Sequence, residues 1–225
     1  MLILNEVLAK SEVREVREVL DRTPFESRKK ARQSQGKAAG VIKNNLELMP
    51  GRQDLRPVVE LIRVRLLSHF EFGSYAMPRD MRFFFNRYES GMFYDRHVDM
   101  TLVPRSKTEM MRLDLSFTLF LSEPEEYEGG DFVIDLPYGE QRIRGAAGDV
   151  ILYLADTLHR VEPVIRGART SVVGWIESFI PDPTERQINF DFSLALKDIF
   201  ETADTDLRRR LEQIHERLLR RWVQT

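Results

Sequence analysis

The chain contains no cysteine. This absence excludes disulfides, thiolate metal ligands and cysteine nucleophiles, so any bound metal must be held by nitrogen or oxygen donors. Only four histidines occur among the 225 residues, which leaves few candidates for imidazole ligands. The chain also lacks an excess of charge of either sign, because 34 Lys and Arg residues nearly balance 36 Asp and Glu residues. The molecule therefore has no overall field that would attract nucleic acid or an anionic membrane.

Long apolar runs are missing as well. No stretch approaches the roughly 20 apolar residues of a membrane-spanning helix, and the first residues lack the cationic leader and apolar core of an export signal. With 42% hydrophobic and 31% charged residues, the composition is typical of a globular protein. We therefore expect a cytoplasmic protein with no membrane association and no nucleic-acid partner.

The first 75 residues have mainly helical periodicity. Apolar residues recur at helical spacing after Ser11, which is a suitable cap, and again after Asp54. Pro57 falls in the first turn of the second helix, where proline is tolerated. The segment 28–45 between these helices is polar and basic with two glycines, which predicts a loop.

The period changes from helical to strand-like between residues 81 and 178. Short segments with strand composition are separated by turn residues. They are 82–88, 93–99, 113–121, 131–136, 141–144, 149–154, 159–164 and 170–178. Eight such strands in about a hundred residues predict a double-stranded β-helix, or jelly roll. The expected fold class is mainly β with flanking helices (α+β).

Helical periodicity returns after two prolines at 181 and 183. The final helix, capped by Thr205 or Asp206, has an apolar stripe and an opposite face rich in arginine. That basic face either is solvated, which we favour, or binds nucleic acid or an acidic partner. The stripe packs on the core or on a second copy in a homo-oligomer. We predict a catalytic domain over 1–180, with helices in 1–75 and the jelly roll in 81–180, and a helical extension over 181–225.

The most informative local pattern is His97-Val98-Asp99, followed by His159. Residues i and i+2 of a strand point to the same side, so His97 and Asp99 can converge on one ion. Two imidazoles and one carboxylate can occupy one face of a six-coordinate metal and leave three positions open, as in non-haem Fe(II) oxygenases. The other histidines, His69 and His215, lie outside the predicted strands.

Arg169 follows His159 across a turn that contains Gly167. An antiparallel return over this distance places its guanidinium beside the imidazole. The planar fork suits a carboxylate bidentately, whereas an unpaired buried arginine is costly. The alternative interpretation of Arg169 is a surface ion pair.

Three stretches together resemble a known family. They are FFFNRYESGMFYDRHVDM, MRLDLSFTLFLSEPEEYEGGDFVI and GDVILYLADTLHRVEPVIRGARTSVVGWIES. The chain resembles the PKHD-type hydroxylases, which are prolyl 4-hydroxylase-like Fe(II)/2-oxoglutarate dioxygenases, over essentially its whole length. The resemblance implies that a substrate C–H bond is hydroxylated with O₂ while 2-oxoglutarate is converted to succinate and CO₂. It also implies L-ascorbate as a reductant.

The resemblance also assigns roles to individual residues. It implies that His97, Asp99 and His159 form the catalytic metal site for Fe(II), and that Arg169 pairs with the distal carboxylate of 2-oxoglutarate. Tyr88 falls where related enzymes place a tyrosine that hydrogen-bonds the co-substrate. Three further candidates for the substrate pocket are Tyr94, Arg112 and Asp114. Each of these also has a structural interpretation, as core packing for the tyrosine and as a rim ion pair for the other two.

Three functions remain open at this point. The first is hydroxylation of a peptidyl or small-molecule substrate, with a link to iron or siderophore homeostasis among some relatives. The second is a non-catalytic jelly-roll module that senses a metal or ligand. The third is a cupin-like enzyme with another metal and no keto acid, which Arg169 argues against because such a site needs no carboxylate clamp.

Overall fold

The computed structural model describes residues 1–34, 37–48 and 53–224, and within these the side chains outside 30–41. Five α-helices lie in this part of the chain. They are α1 (Lys10–Asp21), α2 (Arg56–Ser68), α3 (Phe70–Ala76), α4 (Pro183–Ile199) and α5 (Thr205–Trp222). None of them combines the length and apolar character that a bilayer-crossing helix needs.

The strands outnumber the helices in the described residues. In chain order they are β1 (Leu2–Leu4), β2 (Glu26–Ser34), β3 (Lys37–Leu48), β4 (Pro78–Tyr88), β5 (Phe93–His97), β6 (Leu102–Pro104), β7 (Met110–Arg112), β8 (Leu115–Phe120), β9 (Tyr127–Gly129), β10 (Phe132–Leu136), β11 (Gly139–Ile143), β12 (Val150–Leu154), β13 (His159–Val161), β14 (Val164–Gly167) and β15 (Arg169–Ser178). The eight predicted strands are all present, with several shorter ones between them.

One curled antiparallel sheet dominates the molecule. Its order is β1-β12-β8-β15-β4-β3-β5-β13-β10-β11, with β2 paired to β3 at the side. Strand β3 pairs with β4 through residues 46–48 and with β5 through residues 43–44, so it joins a larger half of the sheet to a smaller half. The two halves enclose a cavity, which confirms the predicted jelly-roll class.

The larger half of the sheet packs on the main core with one face and lines the cavity with the other. On β15, Val172 and Ile176 belong to the main hydrophobic core, which also contains buried residues of α1, α2 and α3. Arg169, Val173 and Trp175 lie on the opposite face and line the cavity. The cavity-facing residues of the neighbouring strands are Phe84, Asn86 and Tyr88 on β4, Thr118 on β8 and Tyr153 on β12. The alternation of side chains along each strand thus places core residues on one face and cavity-lining residues on the other.

The prediction of a loop over residues 28–45 is wrong. Its described residues belong to β2 and β3, which pair as an antiparallel hairpin. Strand β2 pairs with β3 and lies off the main path of the sheet. Such an edge strand tolerates lysine and arginine, which gives it little of the apolar alternation that identifies a strand in sequence.

Two predicted helix caps are also corrected. Helix α1 begins after Ala9 rather than after Ser11. Helix α5 is capped by Asp204 rather than by Thr205 or Asp206, and the Asp204 carboxylate accepts hydrogen bonds from two first-turn N–H groups at 2.9 and 3.0 Å. A carboxylate directly before the first turn can reach N–H groups that would otherwise lack a partner.

The C-terminal helices dock on α3. Asn189 of α4 donates to the carbonyl oxygen of Ser74 at 2.9 Å and accepts from Nε2 of His215 on α5 at 2.8 Å. The rings of Tyr75 and Phe190 meet edge to face, with centroids 5.4 Å apart. The last helices therefore pack on the catalytic half of the chain, and the domain division at residue 180 stays a prediction.

The predicted apolar stripe of α5 is only partly buried. Trp222 is 8% exposed, and Leu211 and Leu218 are half-buried. Leu207 and Ile214 are 46% and 45% exposed. The packed face of α5 lies at one edge of the stripe, because His215 bonds Asn189 of α4 and Trp222 is buried, whereas Leu207 and Ile214 lie at the other edge.

Candidate active site

The two strand-borne histidines stand opposite each other. His97 on β5 is the cross-strand partner of His159 on β13, and their ring centroids are 4.2 Å apart. The Nδ1 atom of His97 lies 2.8 Å from the carbonyl oxygen of Asp95, and Nδ1 of His159 lies 2.8 Å from that of Thr157. A carbonyl oxygen only accepts, so both Nδ1 atoms carry the proton and both Nε2 atoms keep the lone pair that a metal requires.

Asp99 completes a set of three donors. Its backbone N–H donates to the carbonyl oxygen of Ala155 at 3.1 Å, and the Ser116 hydroxyl donates to its Oδ2 at 2.5 Å. One ligand atom from each of His97, Asp99 and His159 lies within 4.8 Å of the other two. Two neutral imidazole nitrogens and one oriented carboxylate fit a divalent transition metal.

Arg169 lies deep in the same cavity. It is 1% exposed and is the cross-strand partner of Tyr88. One terminal nitrogen donates to Ser171 Oγ at 3.0 Å, whereas Nε and the other terminal nitrogen have no hydrogen-bond partner among the described residues. Tyr88 and Phe120 flank the guanidinium at 5.7 and 5.3 Å from the ring centroids. A buried fork with unmatched donors fits a ligand carboxylate, because an unpaired buried charge is otherwise costly.

The cavity that joins these groups has a volume of about 330 Å³. Its lining includes the three metal-donor residues, Arg169 and Tyr88. The apolar part of the lining is formed by Phe84, Phe132, Val161, Val173 and Trp175. An apolar wall with a few convergent polar groups is typical of a ligand site.

Two tyrosines singled out by the sequence also line the cavity. Burial raises the pKa of Tyr88 far above its ordinary value, although the Arg169 charge opposes the shift. Tyr94 stacks on His97 with ring centroids 3.5 Å apart. The Lys43 ammonium lies over the Tyr94 ring, 4.6 Å from its centroid. Burial raises the pKa of Tyr94 to about 12, with Asp99 and Glu47 adding to the effect. Both phenols are therefore neutral hydrogen-bond donors near neutral pH.

For Arg112 and Asp114, the structure favours the ion-pair interpretation over a place in the substrate pocket. Neither belongs to the cavity lining. Arg112 Nε donates to Asp114 Oδ1 at 2.7 Å, and both side chains hydrogen-bond the backbone of Ser178 at 3.0 and 2.8 Å. Ser178 lies at the end of β15, where its carbonyl accepts from Arg112 and its N–H donates to Asp114. The ion pair therefore ties the segment before β8 to the end of β15.

Sequence reasoning missed Tyr153 and Ser116. The Tyr153 hydroxyl lies 3.4 Å from His159 Nε2, and Ser116 holds the Asp99 carboxylate. Both residues lie in strands whose two faces are buried, where apolar alternation is absent and periodicity cannot distinguish core from cavity. Only the register of β8 and β12 shows which of their residues turn inward.

Comparison with known proteins agrees with this site. The model of the 2OG-Fe(II) oxygenase superfamily matches residues 83–177, which contain His97, Asp99, His159 and Arg169. A prolyl-4-hydroxylase from Pseudomonas putida covers 79% of this chain and 91% of its own, with a TM-score of 0.52 and 20% identity. An oxidoreductase of the 2OG-Fe(II) oxygenase family from Burkholderia pseudomallei covers 77% and 83%, with a TM-score of 0.58 and 18% identity. At these identities the structures show a common fold.

The sequence relatives are much closer. A PKHD-type hydroxylase of Acidovorax ebreus is 39% identical over 228 residues, which is 99% of this chain and 99% of that protein. The chain belongs to the PKHD-type hydroxylases of the 2OG-Fe(II) oxygenase superfamily and is an Fe(II)- and 2-oxoglutarate-dependent dioxygenase.

Proposed function

We propose that this dioxygenase hydroxylates a C–H bond of a peptidyl or small-molecule substrate, with Fe(II) on His97, Asp99 and His159. In this proposal Arg169 and Tyr88 hold the distal carboxylate of 2-oxoglutarate. The observation that carries the proposal is the buried guanidinium of Arg169, two of whose nitrogens have no partner among the described residues. A carboxylate ligand is the simplest chemical group that satisfies both nitrogens at once.

Each metal-site residue has a defined task. His97 and His159 present Nε2 because their Nδ1 protons are engaged by backbone carbonyls. Ser116 holds one oxygen of Asp99 and leaves the other available to a metal. Fe(II) held by these three residues would supply the activation of O₂, coupled to the oxidative decarboxylation of 2-oxoglutarate to succinate and CO₂.

Arg169 and Tyr88 orient the co-substrate from the opposite end. Arg169 supplies two parallel N–H donors, and Tyr88 supplies a neutral O–H donor because burial keeps its phenol protonated. The rings of Tyr88 and Phe120 enclose the guanidinium and keep it from water. A charge-assisted pair in such a site is stronger than the same pair in solvent.

The cavity dimensions bear on the substrate. At about 330 Å³, the cavity is at the lower end of the roughly 300–1,000 Å³ of ligand pockets, and the co-substrate must share it. Only the reacting part of an acceptor then fits inside. Val98 and Met100 line the cavity and are 52% and 56% exposed, and Leu102 beyond them is 49% exposed. These apolar side chains would contact the part of the substrate that stays outside.

Five finer parts of the proposal remain. The family resemblance supports L-ascorbate as the reductant and a substrate from iron or siderophore homeostasis. The sequence supports a cytoplasmic location, the absence of a nucleic-acid partner, and self-association through α5. Succinate yield per turnover with and without ascorbate tests the first. Labelled O₂ tests the substrate class, because the label enters either the protein fraction or the metabolite fraction of a cell extract.

The function is tested by binding and turnover together. Anaerobic addition of Fe(II) and 2-oxoglutarate should produce a metal-to-ligand charge-transfer absorption, and admission of O₂ should yield succinate. His97→Ala and Asp99→Ala should abolish both signals. His215→Ala is the control, because this histidine bonds Asn189 away from the cavity. Succinate formation that persists in the first two variants would move the metal site elsewhere, and binding without succinate would favour the sensor module.

A further inference from the structure

Tyr153 is a buried side chain of the cavity to which the proposed function gives no role. It is 2% exposed and lies on β12 between residues whose side chains belong to the main core. Its ring packs against Phe132 and His159, with centroids 5.3 and 5.0 Å away. The register pairs it with Ser116, the residue that holds Asp99. The position of the hydroxyl is thus fixed by packing on several sides.

The hydroxyl of Tyr153 has a poor partner in the protein itself. Its oxygen is 3.4 Å from His159 Nε2, whereas O–H donors prefer about 2.7–2.8 Å. Nε2 is the atom of His159 that carries the lone pair, because Nδ1 donates to the Thr157 carbonyl at 2.8 Å. A metal on Nε2 takes this lone pair, so the Tyr153 O–H then needs another acceptor.

The charges around Tyr153 place it between the two anchors of the proposed co-substrate site. Tyr153 lines the same cavity as Asp99 and Arg169, and both of these charges act on its phenol. A phenol O–H donates one hydrogen bond, and the long contact to His159 Nε2 leaves it able to donate to an acceptor in the cavity.

We propose that Tyr153 is a third contact to 2-oxoglutarate, with its hydroxyl donating a hydrogen bond to a co-substrate oxygen once a metal occupies His159 Nε2. This inference rests on the proposed function, which places an anionic ligand between the metal donors and Arg169. It assigns Tyr153 to co-substrate binding and not to holding His159, whose orientation is already set by Thr157.

The test measures binding with Mn(II), which occupies such a site without turnover. Tyr153→Phe removes the hydroxyl and keeps the ring contacts. Calorimetry should show that 2-oxoglutarate binding to the Mn(II)-loaded variant is weakened about tenfold to a hundredfold, the usual effect of losing a hydrogen bond to a charged group. The affinity for Mn(II) alone should change less than about twofold. Tyr75→Phe is the matched control, because Tyr75 is another buried phenol and packs on Phe190 of α4.

The outcomes separate the inference from the proposed function. Equal 2-oxoglutarate affinity in Tyr153→Phe and the wild-type protein would overturn the role of Tyr153 alone. A loss of Mn(II) affinity as large as the loss of 2-oxoglutarate affinity would overturn it too, since Tyr153 would then support His159. Failure of the wild-type protein to bind 2-oxoglutarate would refute the proposed function, and the inference with it.

Discussion

Replacement of Arg169 by methionine tests the chemistry of the site most directly. Methionine has a similar length without charge, and the side chain it replaces is 1% exposed with two unpartnered nitrogens among the described residues. A buried arginine that supports the fold through an ion pair costs about 3–5 kcal/mol of stability when it is removed. Within the described part of the chain, Ser171 Oγ is the one hydrogen-bond acceptor of this guanidinium, so its loss should affect the ligand far more than the fold.

The expected changes in affinity and in stability follow from comparing the guanidinium with and without bound 2-oxoglutarate. Truncating one partner of a buried, hydrogen-bonded charge pair costs about 2–5 kcal/mol, so 2-oxoglutarate affinity should fall by roughly 30-fold to several thousandfold. Without ligand, methionine relieves an uncompensated buried charge and loses one hydrogen bond of about 1 kcal/mol. The ligand-free stability of Arg169→Met should therefore be unchanged or higher.

Thermal unfolding with Mn(II), with and without 2-oxoglutarate, measures both effects. At a ligand concentration of about 100 times the wild-type Kd, the wild-type protein should gain about 2.7 kcal/mol. A variant weakened about a hundredfold should gain only about 0.4 kcal/mol under the same conditions. Arg186→Met is the matched control: Arg186 is also 1% exposed, but it donates to the Ile180 and Pro181 carbonyls outside the cavity. Its replacement should lower stability and leave 2-oxoglutarate affinity unchanged.

Two results would refute this reasoning. One is an Arg169→Met variant that binds 2-oxoglutarate within about threefold of the wild-type affinity, which would place the carboxylate elsewhere. The other is a loss of several kcal/mol in the ligand-free state, which would show that the guanidinium has a structural partner after all.

Three further predictions concern the metal, the pH dependence and the core. Ser116→Ala should weaken Mn(II) binding by about tenfold or more in a metal titration, because the Asp99 carboxylate loses its 2.5 Å hydrogen bond; unchanged affinity would mean that Asp99 is oriented without it. The folded-state pKa of Tyr94 is raised from 10.0 to about 12, so the contribution of its neutral phenol to the free energy of unfolding is complete below pH 10 and disappears as the pH rises to 12. The Tyr94→Phe variant should therefore lose less stability than the wild-type protein between pH 10 and 12. The same loss in both proteins, measured by denaturation at each pH, would contradict this. Gly174→Ala should lower stability by about 1–3 kcal/mol or more, because its Cβ would lie 2.0 Å from Cε1 of Phe117; a chemical denaturation midpoint equal to that of the wild-type protein would contradict the packing.

Much of the fold could be predicted from the sequence because strand and helix periods are local properties. The change of period near residue 81 identified the jelly roll, and the predicted strands are all present. The family prediction is confirmed, and the donors His97, Asp99 and His159 do come together. The β2–β3 hairpin was not predictable in the same way, because an edge strand rich in basic residues has no apolar alternation to reveal it.

Particular side chains show where local pattern stops being informative. Arg112 and Asp114 have the charge of site residues, yet each is satisfied by the other and by the backbone of Ser178. Tyr153 has the appearance of an ordinary core residue, yet it lines the cavity and its hydroxyl lies 3.4 Å from Nε2 of His159. Whether a polar group has a partner depends on segments far away in the chain, which composition and spacing do not describe.

The sequence by itself determined the donor types, the spacing of His97 and Asp99 on one side of an extended segment, and the class of fold that presents them. The tertiary structure decided the register that sets His97 against His159 and Tyr88 against Arg169. It also decided that the Arg169 guanidinium is buried with donors unmatched among the described residues. The physical reason is that side-chain chemistry and backbone period are encoded residue by residue, whereas burial and the matching of donors to acceptors arise only when distant strands pair.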